Sequence, residues 1–270
     1  MQLFIGLILA VASSYIAYRA KSLSRDGAFA ATLMGTIIFG LGGWQWAVLL
    51  LAFFVSSSAL THIFKNRKKD LDEKYSKGGQ RDAGQVLSNG GLAALIVLFH
   101  AFYPQTFWVW PAFAGTLAAV NADTWATELG VLNPNPPRLL TDLRKSVERG
   151  TSGAVSVYGT IAALLGAGLI GYLAAVLFTT DHLAIFFLVT LAGLLGSLFD
   201  SLLGATVQAI YFCPTDKKET EKHPLHTCGT PTIQVRGWKW LNNDLVNVVC
   251  GVCGLLTAML LTILIHFPTL

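Results

Sequence analysis

Eight stretches of this chain are continuously apolar, and charged or glycine- and proline-containing segments separate them. The stretches lack the alternation of apolar and polar positions that a membrane-embedded strand shows, and most are long enough to cross a bilayer as a helix. The pattern therefore predicts an all-α, polytopic membrane protein that forms a single integral membrane domain over residues 1–270. The predicted helices cover residues 3–18, 27–41, 45–64, 85–103, 107–130, 153–178, 183–210 and 245–266.

The first two predicted helices leave alternatives open. The first has no positive charge before it, and Arg19 and Lys21 follow it, so we interpret it as a retained helix rather than a signal peptide. The second is short, and it could be tilted, re-entrant or fused to the third around Gly40, Gly42 and Gly43. The expected number of membrane spans is therefore eight, with seven as the alternative.

Composition supports the membrane assignment, because 53% of the residues are hydrophobic and 13% are charged. All 19 Lys and Arg residues fall within or beside the connections 19–26, 65–84, 131–152 and 211–244. The positive-inside rule places these connections at the cytosol, or at the stroma or matrix side of an organelle, and both termini opposite. We expect a prokaryotic inner membrane or an organelle membrane, and no nucleic-acid partner.

Three acidic residues lie inside apolar stretches, Asp123 and Glu128 in the fifth and Asp200 in the seventh. An ionisable group in a membrane span is costly unless it meets a partner, a metal or water, so these acids predict a functional site. The alternative for Asp200 is a structural bond to a buried Asn or Ser on another helix. Small and polar residues, including Ser201 and Gln208, continue along the same helix near Asp200.

Helix direction indicates what the site could bind. Helices that begin at the basic connections present free N–H groups and positive dipole ends there, and both favour phosphate. The turns before the fourth and sixth helices add cations, glycines and hydroxyls, although ordinary helix capping would also explain them. Polar residues continue into the fourth and eighth helices. The candidate phosphate- or nucleotide-binding residues are Lys77, Gly78, Gly79, Arg81, Gln85, Asn89, Thr127, Thr151, Ser152, Ser201, Asn243, Asp244 and Asn247.

Carboxylates beside a phosphate site predict Mg²⁺, which takes one or two protein carboxylates and completes its shell with phosphate and water. Asp123 and Thr127 share a helix face, whereas Asp123 and Glu128 are about 140° apart on a regular helix. We therefore expect Asp123 and Asp200 to hold the metal. Glu128 would instead bind a group such as Arg138 or Arg144, or position the nucleophile.

The connection 211–244 contains Cys213, His223, His226 and Cys228. Their spacing could hold zinc, but it matches no standard structural zinc motif, and free cysteines with solvated histidines are the alternative.

A series of motifs runs through the chain in fixed order: KGGQRD (77–82), QVLSNGG (85–91), ADTWATELG (122–130), PRLL (137–140), GTSGAVS (150–156), GSLFDSLLGA (196–205) and NDLVN (243–247). This series resembles that of the transmembrane protein 19 family, whose plastid members are phytyl-phosphate kinases. That family is distantly similar to the CTP-using polyprenol kinases, phytol kinase and dolichol kinase. The resemblance implies phosphoryl transfer from a nucleoside triphosphate, CTP being favoured, to an isoprenyl monophosphate such as phytyl or geranylgeranyl phosphate.

In this hypothesis Arg81, Arg138, Lys145 and Lys77 bind phosphates, while Asp123 and Asp200, with Asp82 as a further candidate, hold Mg²⁺. Two other functions stay open: a CTP-dependent cytidylyltransferase acting on a lipid phosphate, and a transporter of a small anion. A homodimer is also left open.

Overall fold

The computed structural model describes residues 1–65, 74–75, 78–178 and 181–266. Helices dominate this part of the chain, and each of the eight predicted helices is present, so the all-α membrane class is confirmed. The helices are α1 Gln2–Arg19, α2 Arg25–Ile37, α3 Trp44–Phe64, α4 Ala83–Phe102, α5 Val109–Gly130, α6 Val157–Phe178, α7 His182–Thr206 and α8 Asn243–His266.

Helices α2 and α3 are separate, although α2 is short. A π-helical turn over Ile38–Gly42 prolongs α2, and Gly43 then adopts a φ of 91° before α3 begins at Trp44. This backbone conformation is left-handed and suits glycine, which has no Cβ to clash. The glycine cluster therefore makes a tight turn between two helices rather than a bend within one.

Six of the described helices are long and apolar enough to span a membrane: α1, α3, α4, α6, α7 and α8. Helix α2 is too short for this criterion, and α5 is too polar. Helix α5 is nevertheless the most enclosed of the eight, since every residue from Val109 to Ala122 is buried and it contacts α3, α4, α6, α7 and α8. A helix surrounded by protein needs no lipid-compatible surface. The number of spans, eight or seven, stays a prediction.

Small residues allow α5, α7 and α8 to approach closely. A Cβ atom at Gly193 of α7 would lie 2.8 Å from the Ala118 Cβ, and one at Gly254 of α8 would lie 2.7 Å from the Ala119 Cβ. Close backbone approach of this kind is how helices associate in membranes, where lipid gives no hydrophobic driving force. The three helices therefore form a tightly packed centre.

Two small antiparallel sheets lie in the connections, and the sequence pattern did not predict them. One has the strand order β2-β1-β3, from Asp142–Ser146, Arg138–Leu139 and Ala154–Val155. The other has the order β5-β4-β6, from Lys218–Thr220, Ile210–Cys213 and Ile233–Arg236.

These sheets correct two predicted helix boundaries. Helix α6 begins at Val157 rather than at Gly153, because Ala154 and Val155 pair with β1. Helix α7 ends at Thr206, and Ile210 is the first residue of β4. A short apolar strand beside an apolar helix continues the same run of residues, so hydrophobicity alone does not separate them.

The described residues of the four basic connections (19–26, 65–84, 131–152 and 211–244) meet at one end of the bundle, which we call the basic face. Ser24 N donates to Arg81 O at 3.0 Å, joining the first connection to the second. Ser152 Oγ donates to Gln208 Oε1 at 2.7 Å, joining the third to the residues that follow α7. That the basic face lies on the cytosolic or stromal side stays a prediction.

Candidate functional site

A cavity of about 1100 Å³ opens among the helix ends and loops of the basic face. Residues from all four basic connections and from α4 to α8 line it. Most of the residues singled out in the sequence are among them, although they come from distant parts of the chain. These are Gly78, Gly79, Arg81, Gln85, Asn89, Asp123, Thr127, Glu128, Thr151, Ser152, Asp200, Ser201, Asn243 and Asn247.

Four other candidates do not line the cavity, and Lys77 lies outside the described residues. Asp82 caps α4, since its Oδ1 accepts from Gln85 N at 2.8 Å while its own N–H donates to Gln85 Oε1 at 3.2 Å. Arg138 and Lys145 are exposed in the first sheet, where Arg138 Nη1 donates to Leu143 O at 2.5 Å. Asp244 lies in the first turn of α8.

Asp123 and Asp200 come together because of the helix packing beneath them. Gly196 of α7 lies against Ala119 of α5, leaving no room for a side chain at position 196. The two helices run in the same direction, so one turn further along each brings Asp200 beside Asp123. The charges of the two carboxylates interact across this gap.

A third carboxylate, Glu221, joins this pair from the loop after β5, and its charge also acts on Asp123 and Asp200. A hydrogen-bonded chain holds it in place: Ser152 Oγ donates to Gln208 Oε1 at 2.7 Å, and Gln208 Nε2 donates to Glu221 Oε1 at 2.9 Å. Gln208 is 1% exposed, so its amide is held in one orientation. The loop acid is thereby fixed against the helical acids.

Lys74 ties three basic connections together around the site. Its Nζ donates to Glu148 Oε2 at 2.6 Å and to Arg149 O at 3.0 Å. Its carbonyl oxygen accepts from Glu221 N at 2.8 Å. The ammonium group holds the pKa of Glu148 below its usual range, first through the hydrogen bond and then through its charge.

Cations also line the cavity. Arg81 is 9% exposed, and its Nη1 donates to Ser58 Oγ at 2.7 Å. Burial lowers the pKa of Arg81, and the charge of Glu128 partly offsets this effect. Lys21 and Lys65 also line the cavity, and neither was singled out from the sequence.

Lys21 is held in a costly backbone conformation. It has a φ of 57°, and it occupies the left-handed position of a Schellman motif that ends α1. Lys21 N donates to Tyr18 O at 3.0 Å and Ser22 N to Ala17 O at 2.9 Å. Glycine is the usual residue at this position, so the lysine costs stability while placing a positive charge at the cavity.

Glu128 lies on the wall of the cavity rather than with the other acids, as helical geometry predicts. Its Oε1 accepts from Thr61 Oγ1 at 2.9 Å, and its charge acts on Arg81. The arginine that interacts with Glu128 is therefore Arg81. The sequence pattern instead suggested Arg138 or Arg144. The negative charge of Glu128 compensates the positive charge of the buried Arg81 guanidinium group.

Residues at the starts of α4 and α6 also line the cavity. Helix α4 begins directly after Gly78, Gly79 and Arg81, and α6 begins after the 150–153 turn. In that turn Gly153 has a φ of 79° and lies against the backbone of Ala205, where no side chain fits. At α4 the N–H groups of Ala83 and Gln85 already donate to Asp26 Oδ2 and Asp82 Oδ1. The 150–153 turn instead brings backbone N–H groups and hydroxyls to the same space as the cations, and this combination is suited to polyphosphate.

The acidic residues fit a bound divalent cation. Asp200 Oδ2 is buried and accepts no hydrogen bond from the described residues. Three carboxylates close together repel one another, and a cation bound between them would neutralise this repulsion. Oxygen-only ligands match the preference of Mg²⁺.

Fold and site together define a polytopic membrane protein with cations, helix N-termini and carboxylates converging on one cavity. The chain belongs to the DUF92 family of integral membrane proteins, whose family model matches residues 8–255. This result confirms the family resemblance that the motif series indicates.

Relatives come from plants and prokaryotes. Protein PGR of Arabidopsis thaliana is 34% identical over 273 residues, covering 92% of each chain. An uncharacterised membrane protein of Methanocaldococcus jannaschii is 31% identical over 76% of this chain and 83% of its own. The protein named VTE6, chloroplastic, of Arabidopsis thaliana is 28% identical over 88% of this chain and 65% of its own. No solved structure matches the chain.

Proposed function

We propose that this protein is a membrane-embedded kinase that transfers a phosphoryl group from a nucleoside triphosphate to an isoprenyl monophosphate. One observation carries the proposal: Asp123, Asp200 and Glu221 meet in the same cavity as Arg81, Lys21 and the 150–153 turn. Phosphoryl transfer depends mainly on positioning and charge neutralisation, and this cavity offers groups for both.

The chemistry needs no strong base. A terminal oxygen of the lipid monophosphate attacks the γ-phosphorus of the nucleotide, the bond to the β-phosphate oxygen breaks, and a nucleoside diphosphate leaves. Arg81, Lys21 and the N–H groups of the 150–153 turn bind phosphate oxygens and stabilise their charge. Asp123 and Asp200, with Glu221 beside them, would hold Mg²⁺, which supplies further charge neutralisation when bound.

The nucleotide and the lipid are assigned by resemblance and by the shape of the molecule. The motif series resembles that of plastid phytyl-phosphate kinases and CTP-using polyprenol kinases, which favours CTP and a phytyl or geranylgeranyl chain. Asn89, Asn243 and Asn247 line the cavity and offer amides that read a base or ribose. The relationship to the chloroplast protein VTE6 is consistent with this assignment.

An apolar groove of about 530 Å³ is where we place the isoprenyl chain. It lies between α7 and α8. Phe199 forms part of its wall, so the groove is next to the helix turn that carries Asp200. Its lining is almost wholly apolar: Phe199, Leu202, Leu203, Thr206, Val207, Trp238, Trp240, Leu241, Leu245, Val248 and Val249. A chain in this groove would leave its phosphate at the basic face, and Val249→Trp would then shorten the accepted chain.

A cytidylyltransferase remains the rival enzyme, since it would use the same nucleotide and metal. It releases pyrophosphate and joins the nucleotide to the lipid, whereas the kinase releases a nucleoside diphosphate. A transporter would place its site near the midplane. The cavity instead lies at the helix ends, which favours an enzyme acting at one face.

The deciding experiment is turnover of purified protein with phytyl, geranylgeranyl and shorter isoprenyl monophosphates, each with the four nucleoside triphosphates. We expect a lipid diphosphate and a nucleoside diphosphate in equal amounts, with CTP the best donor. Release of pyrophosphate would establish the cytidylyltransferase instead. Absence of turnover with every pair, in protein that binds nucleotide and remains folded, would refute both enzymes.

A further inference from the structure

Four side chains with metal-ligand chemistry converge in the connection after α7, away from the cavity. Cys213 ends β4, Asp216 lies in the following turn, and His226 and Cys228 belong to the loop before β6. One ligand atom from each lies within 4.8 Å of all the others. We propose that Cys213, Asp216, His226 and Cys228 bind a structural zinc ion.

Three of the distances between these atoms match a tetrahedral site. Cys213 Sγ lies 3.6 Å from Cys228 Sγ, Cys228 Sγ lies 3.5 Å from His226 Nδ1, and Cys213 Sγ lies 3.8 Å from Asp216 Oδ2. With zinc bonds of about 2.3 Å to sulfur and 2.0–2.1 Å to nitrogen or oxygen, tetrahedral angles separate the ligand atoms by about 3.3–3.8 Å. A fourth pair, His226 Nδ1 and Asp216 Oδ2, is closer at 2.8 Å, which is a hydrogen-bonded distance.

The structure also selects the ligands. The sequence pattern suggested His223, but its ring stacks on Tyr211 with centroids 4.4 Å apart, and Asp216 takes the fourth position. His226 and Cys213 are buried, whereas Asp216 is partly exposed and Cys228 is exposed. Two thiolates, an imidazole and a carboxylate form a closed set of four, as structural zinc sites have.

The position of the site suggests what the zinc stabilises. It would fasten the turn after β4 to the loop between β5 and β6, and Glu221 lies within the segment so enclosed. A zinc ion here would fix the backbone that presents Glu221 to the cavity. The site does not depend on the kinase assignment, because a fastened loop would serve any reaction at the basic face.

Metal analysis of the purified protein, kept reduced, tests the proposal. We expect one zinc per chain, and we expect cobalt(II) exchanged into the protein to show the intense visible absorption of tetrahedral thiolate coordination. Cys213→Ser and His226→Ala should each lose the zinc. The matched controls His223→Ala and Cys253→Ser should keep it, since one is a neighbouring histidine and the other a cysteine in α8.

Thiol labelling of the wild-type protein tests for the zinc ion even if a variant does not fold. In the wild-type protein, Cys213 and Cys228 should resist alkylation until a chelator removes the zinc. The proposal is overturned if the reduced, folded wild type takes up no zinc when supplied with it. It is also overturned if Cys213 and Cys228 are joined by a disulfide in the protein as it exists in the cell, or if His223→Ala loses zinc as completely as His226→Ala does.

Discussion

Gly196 of α7 packs so closely against Ala119 of α5 that a Cβ atom at position 196 would overlap the alanine methyl group. This contact sets the register of two parallel helices, and one turn beyond it Asp200 and Asp123 share the cavity. The geometry of the acidic pair therefore depends on a glycine that contacts no substrate.

Replacing this glycine tests that dependence. Gly196→Val should destabilise the protein by about 1–3 kcal/mol, because the helices must separate to accommodate the side chain. Activity should fall with it, since the two carboxylates move apart. Gly168→Val in α6 is the matched control, because a Cβ there meets nothing within 4 Å. Thermal unfolding in detergent and turnover measure both effects, and equal behaviour of the two variants would contradict this account.

Lys21 should lower the stability of the fold and strengthen nucleotide binding. Lys21→Gly relieves the left-handed backbone at φ 57° and should raise stability by up to about 1 kcal/mol. The same change removes a cation from the cavity, so KM for the nucleotide should rise about tenfold. Lys217→Gly is the matched control: its φ is 52°, and it does not line the cavity. A rise in KM for both variants would exclude a specific role for Lys21.

Glu128 should act as a positioning residue. Glu128→Gln leaves the buried guanidinium of Arg81 without the opposite charge beside it and should cost about 2 kcal/mol or more of stability. The rate kcat should fall less than about tenfold, because Glu128 lies apart from the acidic pair. The double variant Arg81→Met/Glu128→Gln should lose less stability than the two single variants together. A large fall in kcat with unchanged stability would instead make Glu128 catalytic.

Much of this arrangement follows from the sequence. Apolar runs predict the eight helices, and the confinement of basic residues to four connections predicts that those connections share a face. The sequence predicts that Asp123 and Asp200 belong to one site, because a carboxylate without a partner in an apolar helix is energetically costly. Lys21, Lys74 and Glu221 were not predicted, because their positions depend on how irregular connections fold back. The sequence around Glu221 shows no regular spacing of hydrophobic residues. The strands of the small sheet next to it are too short to produce such a pattern.

Charge repulsion gives a test of metal binding that does not require activity. Without Mg²⁺, Asp200→Asn should stabilise the protein by about 1 kcal/mol, a few degrees in Tm, because it removes a buried carboxyl group that is costly to ionise beside two others. Added Mg²⁺ should then raise the Tm of the wild type more than that of the variant. Glu219→Asp, a charge-preserving change at an exposed residue of β5, should respond to Mg²⁺ as the wild type does. Identical responses in all three proteins would argue against a metal at Asp200.

The most direct measurement is transfer of the γ-phosphoryl group from CTP to phytyl phosphate by purified wild type, Asp123→Asn, Asp200→Asn and the control Asp142→Asn. Asp142 is exposed in β2 and does not line the cavity. The wild type and Asp142→Asn should form phytyl diphosphate and CDP in a Mg²⁺-dependent reaction. Asp123→Asn and Asp200→Asn should each be at least about 100-fold slower. Unchanged turnover in either of these two variants would contradict the account.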